Sequence, residues 1–273
     1  MFGRRTGKST LSRALAMAEV VFHVAARKVR SKHNNALIAI GLNIVQTMIF
    51  IAAFYLMFTV LGLRASAIRG DFLLFMMSGV FLYMVHAKTV GLITSAEGPS
   101  SPIMLHAPMN TIVVILASAL AALYTQVLSA FVILFLYHTI VTPIHIEEPI
   151  PALGMVMLAW FTGVGVGLLL LSLKPWFPTA TGILSSIYQR ANMIASGKMF
   201  VANSLPAFML AMFDWNPLFH CIDQARGYVF INYNPRFTSW EYAFWVGVVL
   251  IMVGLMSEFY TRRHASISWG ARR

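Results

Sequence analysis

The chain carries little charge for its length. Of 273 residues only 11% are Asp, Glu, Lys or Arg, while 59% are apolar; an ordinary soluble domain has roughly 25% charged residues. A water-facing surface cannot be covered with so few charges, so lipid is the expected solvent for much of the chain. Acidic residues are scarcer still, 9 against 20 Lys and Arg, giving a formal net charge of +11. In a soluble protein such an excess would point to nucleic acid. Here the basic residues gather at the two chain ends, beside long apolar runs, so a membrane surface is expected and no nucleic acid. A single cysteine, Cys221, excludes an internal disulfide and any cysteine-based metal site.

Chemistry-bearing motifs are also missing. Gly3 to Ser9 imitates a phosphate-binding loop, but three residues separate Gly3 from Gly7 where the motif needs four, and no strand precedes them. It reads as a basic tail. No apolar stretch follows those charges directly, so it does not read as a signal peptide either. The eight histidines form no HExxH pair, and no two carboxylates sit together inside an apolar run. Glu147-Glu148, between prolines, reads as a solvated turn. No catalytic residue, metal or cofactor is expected in this chain.

What the chain has is apolar length. Residues 36–63, 72–93, 111–140, 152–173, 179–201 and 240–260 each approach or exceed the roughly 20 residues that a spanning helix needs. The expected fold is therefore an all-α polytopic membrane protein with six transmembrane helices. Its domains are a cytoplasmic tail with an interfacial helix (1–35), a membrane domain (36–260) and a basic tail (261–273). In residues 9–32, Leu11, Leu15, Ala18, Phe22, Ala25 and Val29 recur at helical spacing, opposite Arg13, Arg27, Lys28, Arg30 and Lys32. That is the pattern of an amphipathic helix lying on anionic headgroups. Asn43, Gln46 and Thr47 on the first span suit interhelical hydrogen bonds, and Gly163 with Gly167 gives the fourth span a close-packing face. Most Lys and Arg fall on one side if both termini are cytoplasmic, which fixes the orientation.

Two connections stand out. In residues 94–110, Ser101-Pro102 starts a helix and Pro108 ends it within about two turns. Ile103, Met104, Leu105 and His106 are then apolar or ring-bearing groups on a helix too short to span. Residues 205–236 lie between the last two spans. Asp214 stops a short apolar run, and Asn216-Pro217 starts a second helix with Asn as cap and Pro at its first position. Asp223 and Arg226 fall three apart and can pair. Two short re-entrant helices are expected, dipping into the outer face where protein covers their backbone.

The fifth apolar segment contains Tyr188, Gln189, Arg190, Asn192 and Lys198. Arg190 falls about 17 Å along the axis from Thr179, near mid-membrane. A guanidinium facing lipid there costs at least ~2.5 kcal/mol, so a polar surrounding is expected. Either a structural contact with another helix or a path for an anionic substrate meets that need.

Arg190, Ser196-Gly197, Pro206, Trp215-Asn216-Pro217-Leu218, His220 and Arg226, in that order, resemble the C-terminal part of the ABC-2 type transporter permeases. Among those the pattern is similar to the branch that exports capsule polysaccharide in Gram-negative bacteria. The resemblance implies a homodimeric permease in the bacterial inner membrane, moving a lipid-linked acidic polysaccharide. It implies two copies of an ABC ATPase that carry ATP and Mg, and residues 101–106 as the coupling helix. Periplasmic and outer-membrane export proteins are further implied partners. Tyr188, Gln189, Arg190, Asn192 and Lys198 would line the substrate path, and Trp215, Asn216, Pro217 and Arg226 would build the re-entrant outer motif. Permeases for O-antigen, teichoic acid or another lipid fit the same pattern. A membrane transferase using His86, His106 or His220 is an alternative. An ion-coupled secondary transporter is another, although no carboxylate lies at mid-span and no inverted repeat is apparent.

Overall fold

The computed structural model describes residues 10–30, 35–62, 71–96 and 111–264. Those residues form α1 (Thr10–Arg30), α2 (Ala36–Val60), α3 (Phe72–Thr94), α4 (Thr111–Ile140), α5 (Pro149–Leu173), α6 (Pro178–Ala195), α7 (Ala207–Phe213), α8 (Pro217–Val229) and α9 (Trp240–His264), with a 3-10 turn at Ala202–Ser204. Five helices, α2, α3, α4, α5 and α9, are long and apolar enough to cross a membrane. The chain is an all-α, multi-pass membrane protein. Residues 1–9, with the imitation phosphate loop, residues 97–110, with Ser101 to His106, and residues 265–273 lie outside the described residues.

The segment expected as the fifth span, residues 179–201, departs from that reading. Its helix, α6, is 18 residues long and stops at Ala195. Ser185, Ser186, Gln189, Arg190 and Asn192 dilute its apolar content, and it is not one of the five spanning candidates. It ends because Gly197 adopts φ +74°, a backbone conformation that side chains with a Cβ disfavour. Pro149 extends α5 three residues beyond the expected start, since proline is tolerated in a first helical turn.

The bundle is built around α5, which packs against α3 on one side and α9 on the other. Its glycines explain how. A Cβ at Gly163 would sit 3.0 Å from the His86 carbonyl oxygen, and one at Gly167 2.8 Å from the Ile93 Cβ, both on α3. Gly165 faces the other way, where a Cβ would meet the Leu250 Cβ of α9 at 2.7 Å. Small residues on both faces let three backbones approach closely, the form of packing that holds helices together in lipid. Asp71 caps α3 by accepting from the Leu73 amide at 2.8 Å, and its other oxygen accepts from the Tyr137 hydroxyl at the end of α4. Two of the three polar residues of α2 bond to other helices as expected, while Thr47 donates to the Asn43 carbonyl of its own helix (2.9 Å). Asn43 donates to Ser129 (2.8 Å) and accepts from Gln126 (3.0 Å) on α4. Gln46 accepts from Lys88 of α3 at 2.8 Å.

Candidate functional site

The candidate site lies where α6 ends against α3 and α8. Along α6, Thr181, Ser185 and Asn192 are buried, while Ile183, Leu184, Ile187 and Ile194 are exposed. The polar stripe therefore faces protein and the apolar stripe faces outward, the arrangement lipid requires of a helix with this composition.

A chain of hydrogen bonds follows that stripe. His86 of α3 places Nδ1 3.0 Å from the Ala159 carbonyl oxygen and 3.2 Å from the Thr162 hydroxyl, both on α5. A ring nitrogen donates to a carbonyl, so Nδ1 carries the proton and Nε2 accepts from the Tyr188 hydroxyl at 2.8 Å. One turn on, Asn192 Oδ1 accepts from Asn216 Nδ2 at 2.7 Å. The same amide group donates to the Ala195 carbonyl at 3.0 Å, and Asn216 Oδ1 accepts from the Leu218 amide at 3.0 Å. Asn216 thus caps α8, as its position before Pro217 predicts, and also ties α8 to the last turn of α6. Four elements are joined by side chains that leave no ring nitrogen of His86 free.

Two cations close the end of α6. Arg226 is fully buried and receives three carbonyls on its guanidinium: Gly197 (2.8 Å) and Phe200 (2.5 Å) on Nη1, Lys198 (2.6 Å) on Nη2. Its carbon Cζ lies 4.1 Å from the centre of the Phe75 ring. Burial lowers the Arg226 pKa to about 10, with Asp223 opposing the shift, so the group stays cationic at neutral pH. Gly79 makes the space, since a Cβ there would meet Arg226 Nη2 and the Lys198 carbonyl, each at 2.7 Å. Lys198 is fully buried as well. Its ammonium donates to the Met193 carbonyl and lies 4.3, 5.1 and 5.9 Å from the ring centres of Tyr83, Phe54 and Phe50. Both cations thus lie at the carbonyl end of a helix, where its dipole favours them, and aromatic faces contribute further attraction.

Asp223 and Arg226 do not use their spacing to pair. Asp223 accepts from the Ala202 amide (3.1 Å), the Tyr233 hydroxyl (2.5 Å) and the Thr238 hydroxyl (2.8 Å) instead. The carboxylate thereby holds the 3-10 turn and the segment before α9 to α8. His220 links the same parts. The Ser239 amide donates to Nδ1 (3.0 Å), so Nε2 carries the proton and donates to the Asp214 carbonyl (2.6 Å). Burial, the dominant cause, holds the His220 imidazole below its usual pKa range.

The five residues expected along a path are therefore not on one surface. Tyr188, Asn192 and Lys198 point inward, Gln189 is half-buried, and Arg190 is exposed on the opposite side of α6. Of the outer motif, Asn216, Pro217 and Arg226 are buried together and Trp215 is 60% exposed. Sequence reasoning missed Tyr83 and Gly79 as members of this assembly, and gave Asp223 a different partner. Phe50 and Phe54, four apart on α2, were the one available signal for the cage around Lys198. Among the described residues no cluster of His, Cys, Asp and Glu could hold a metal. No family model and no curated protein matches the chain.

Proposed function

We propose that the chain is the permease subunit of an ATP-driven ABC exporter that moves a lipid-linked, acidic polysaccharide across a bacterial inner membrane. In this reading a second copy completes the path, and two ATPase subunits dock on residues 101–106. The multi-pass helical fold is consistent with a transport role. The observation that carries the finer reading is the interlocking of the motif residues. Gly197, Asn216 and Arg226 bond into one buried assembly at the α6–α8 junction, and His220 ties α8 to the Asp214 carbonyl and the Ser239 amide. An ordered set of residues that is tied together in space is a fold element, as a family motif requires, rather than a chance string. Arg190 supports the rest. It is an exposed cation on a helix whose neighbours are apolar, and a second copy or an anionic substrate would supply what lipid does not.

The test is Leu105→Asp, which puts a charge into an apolar docking contact. The variant should insert normally, lose the co-purifying ATPase and lose ATP-dependent polysaccharide export. Wild-type levels of both ATPase binding and export would sink the coupling assignment. Absence of any ATPase in complexes of the wild-type chain would sink the exporter reading itself.

A further inference from the structure

An apolar cleft of about 1210 Å³ runs between α1, α4 and α5, with Ile40 of α2 at one edge. Val21, Leu123, Phe131 and Trp160 belong to its walls, and Arg30 is the charged residue that lines it. Phe22 and Phe131 are 69% and 60% exposed, so the cleft opens away from the bundle. Beside it, α1 packs on α4 through Val21 against Val113 and Ala117, with Val20, Val24 and Ala25 around them. Water does not settle in an apolar space that offers no polar partners. An empty space would forfeit dispersion contacts along the whole wall. Hydrocarbon fills it, and the membrane supplies acyl chains.

The rim decides which lipid. The last turn of α1 carries Arg27, Lys28 and Arg30. Arg30 is exposed and lines the cleft, whereas Arg27, three residues earlier, falls on the side of the helix away from the cleft. Glu19, the acidic residue of α1, lies two turns away and faces His23 at 3.8 Å. We propose that this cleft seats an anionic phospholipid, with its chains between α1, α4 and α5 and its phosphate at Arg30. The proposal stands whether or not the chain is an exporter subunit.

Trp160 offers the probe, because it lines the cleft with its indole N–H held by the Ala119 carbonyl at 2.9 Å. Full-length protein in detergent is titrated with phosphatidylglycerol or phosphatidylcholine carrying brominated chains. The Trp160 signal is the difference between the wild type and Trp160→Phe. Brominated phosphatidylglycerol should quench it at concentrations about fivefold lower than phosphatidylcholine, as one cation at an anionic headgroup implies. Arg30→Gln should bring the two lipids together, and Arg30→Lys should keep them apart. Equal curves for both lipids in the wild type would overturn the proposal, as would a preference that survives the glutamine variant. No quenching of Trp160 by either lipid would also overturn it, since protein rather than lipid then fills the cleft.

Discussion

Replacing Arg226 with Met keeps most of the side-chain volume and removes every donor. Three buried carbonyls, those of Gly197, Lys198 and Phe200, then lose the group that holds them. Each unsatisfied carbonyl costs about 1–3 kcal/mol, so the loss sums to roughly 3–9 kcal/mol. The variant no longer buries a guanidinium, which offsets several kcal/mol. Hydrogen bonds from a charged donor contribute about 1.5–3 kcal/mol each, so after that offset a net cost of about 3–5 kcal/mol remains. At about 2–4 °C per kcal/mol for a chain of this size, the melting midpoint in detergent should fall by roughly 6–20 °C. Heating the purified protein and measuring the monodisperse fraction by size exclusion reads that shift directly. Gly79→Ala should act through the same assembly, because its Cβ would meet the Lys198 carbonyl and Arg226. The Gly79→Ala/Arg226→Met double variant should then cost less than the sum of the two, since the sites are in contact. A midpoint for Arg226→Met within about 2 °C of wild type would refute the clamp.

Acid should loosen the segment between α7 and α9 through His220. Its folded pKa is lowered by burial, so below about pH 6.5 the unfolded chain binds the proton first and stability falls as pH drops. His220→Gln should flatten a melting profile between pH 7 and 5, and an equally steep profile in that variant would count against it. Cys221 is fully buried, with burial pushing its thiol pKa up. It should resist thiol reagents in the native protein and react once denatured; native labelling from either side would contradict its placement. On the proposed exporter reading, Arg190→Ala should lower export without lowering the amount of assembled protein, while Arg190→Lys tests whether bidentate contacts matter. Loss of assembly with unchanged export per complex would assign Arg190 a structural role.

Much of the architecture was legible because lipid imposes a simple code. Long apolar runs gave α2, α3, α4, α5 and α9, and Asn216-Pro217 marked the start of α8 because a cap and a first-turn proline are local signals. Gly163 and Gly167 were readable for the same reason, since four-residue spacing puts both on one face. The end of α6 was not, because it depends on the positive φ of Gly197 and on carbonyls collected by a residue 29 positions later. The spacing of Asp223 and Arg226 was misleading: local geometry allows a pair, but each side chain had stronger claims on it from the turn after α6 and the segment before α9. Sequence spacing also could not tell which side of α6 faces protein. Counting 100° per residue places Arg190 and Lys198 on the helix, yet Lys198 lies beyond its end and turns into the Phe50, Phe54 and Tyr83 rings.

The enclosure of α3 bears on how the chain is made. Its buried residues, among them Ser78, His86 and Thr89, are covered by α5 and α8, which are synthesised later. Until α5 emerges, the His86 ring has neither the Ala159 carbonyl nor the Tyr188 hydroxyl beside it. A nascent chain that has reached only α4 presents those groups to lipid or to the insertion machinery. Maturation is then a waiting step, in which the second helix to enter is among the last to be fully packed. Truncations after α4 should be held by chaperones or degraded, whereas chains that run through α8 have every partner that α3 needs.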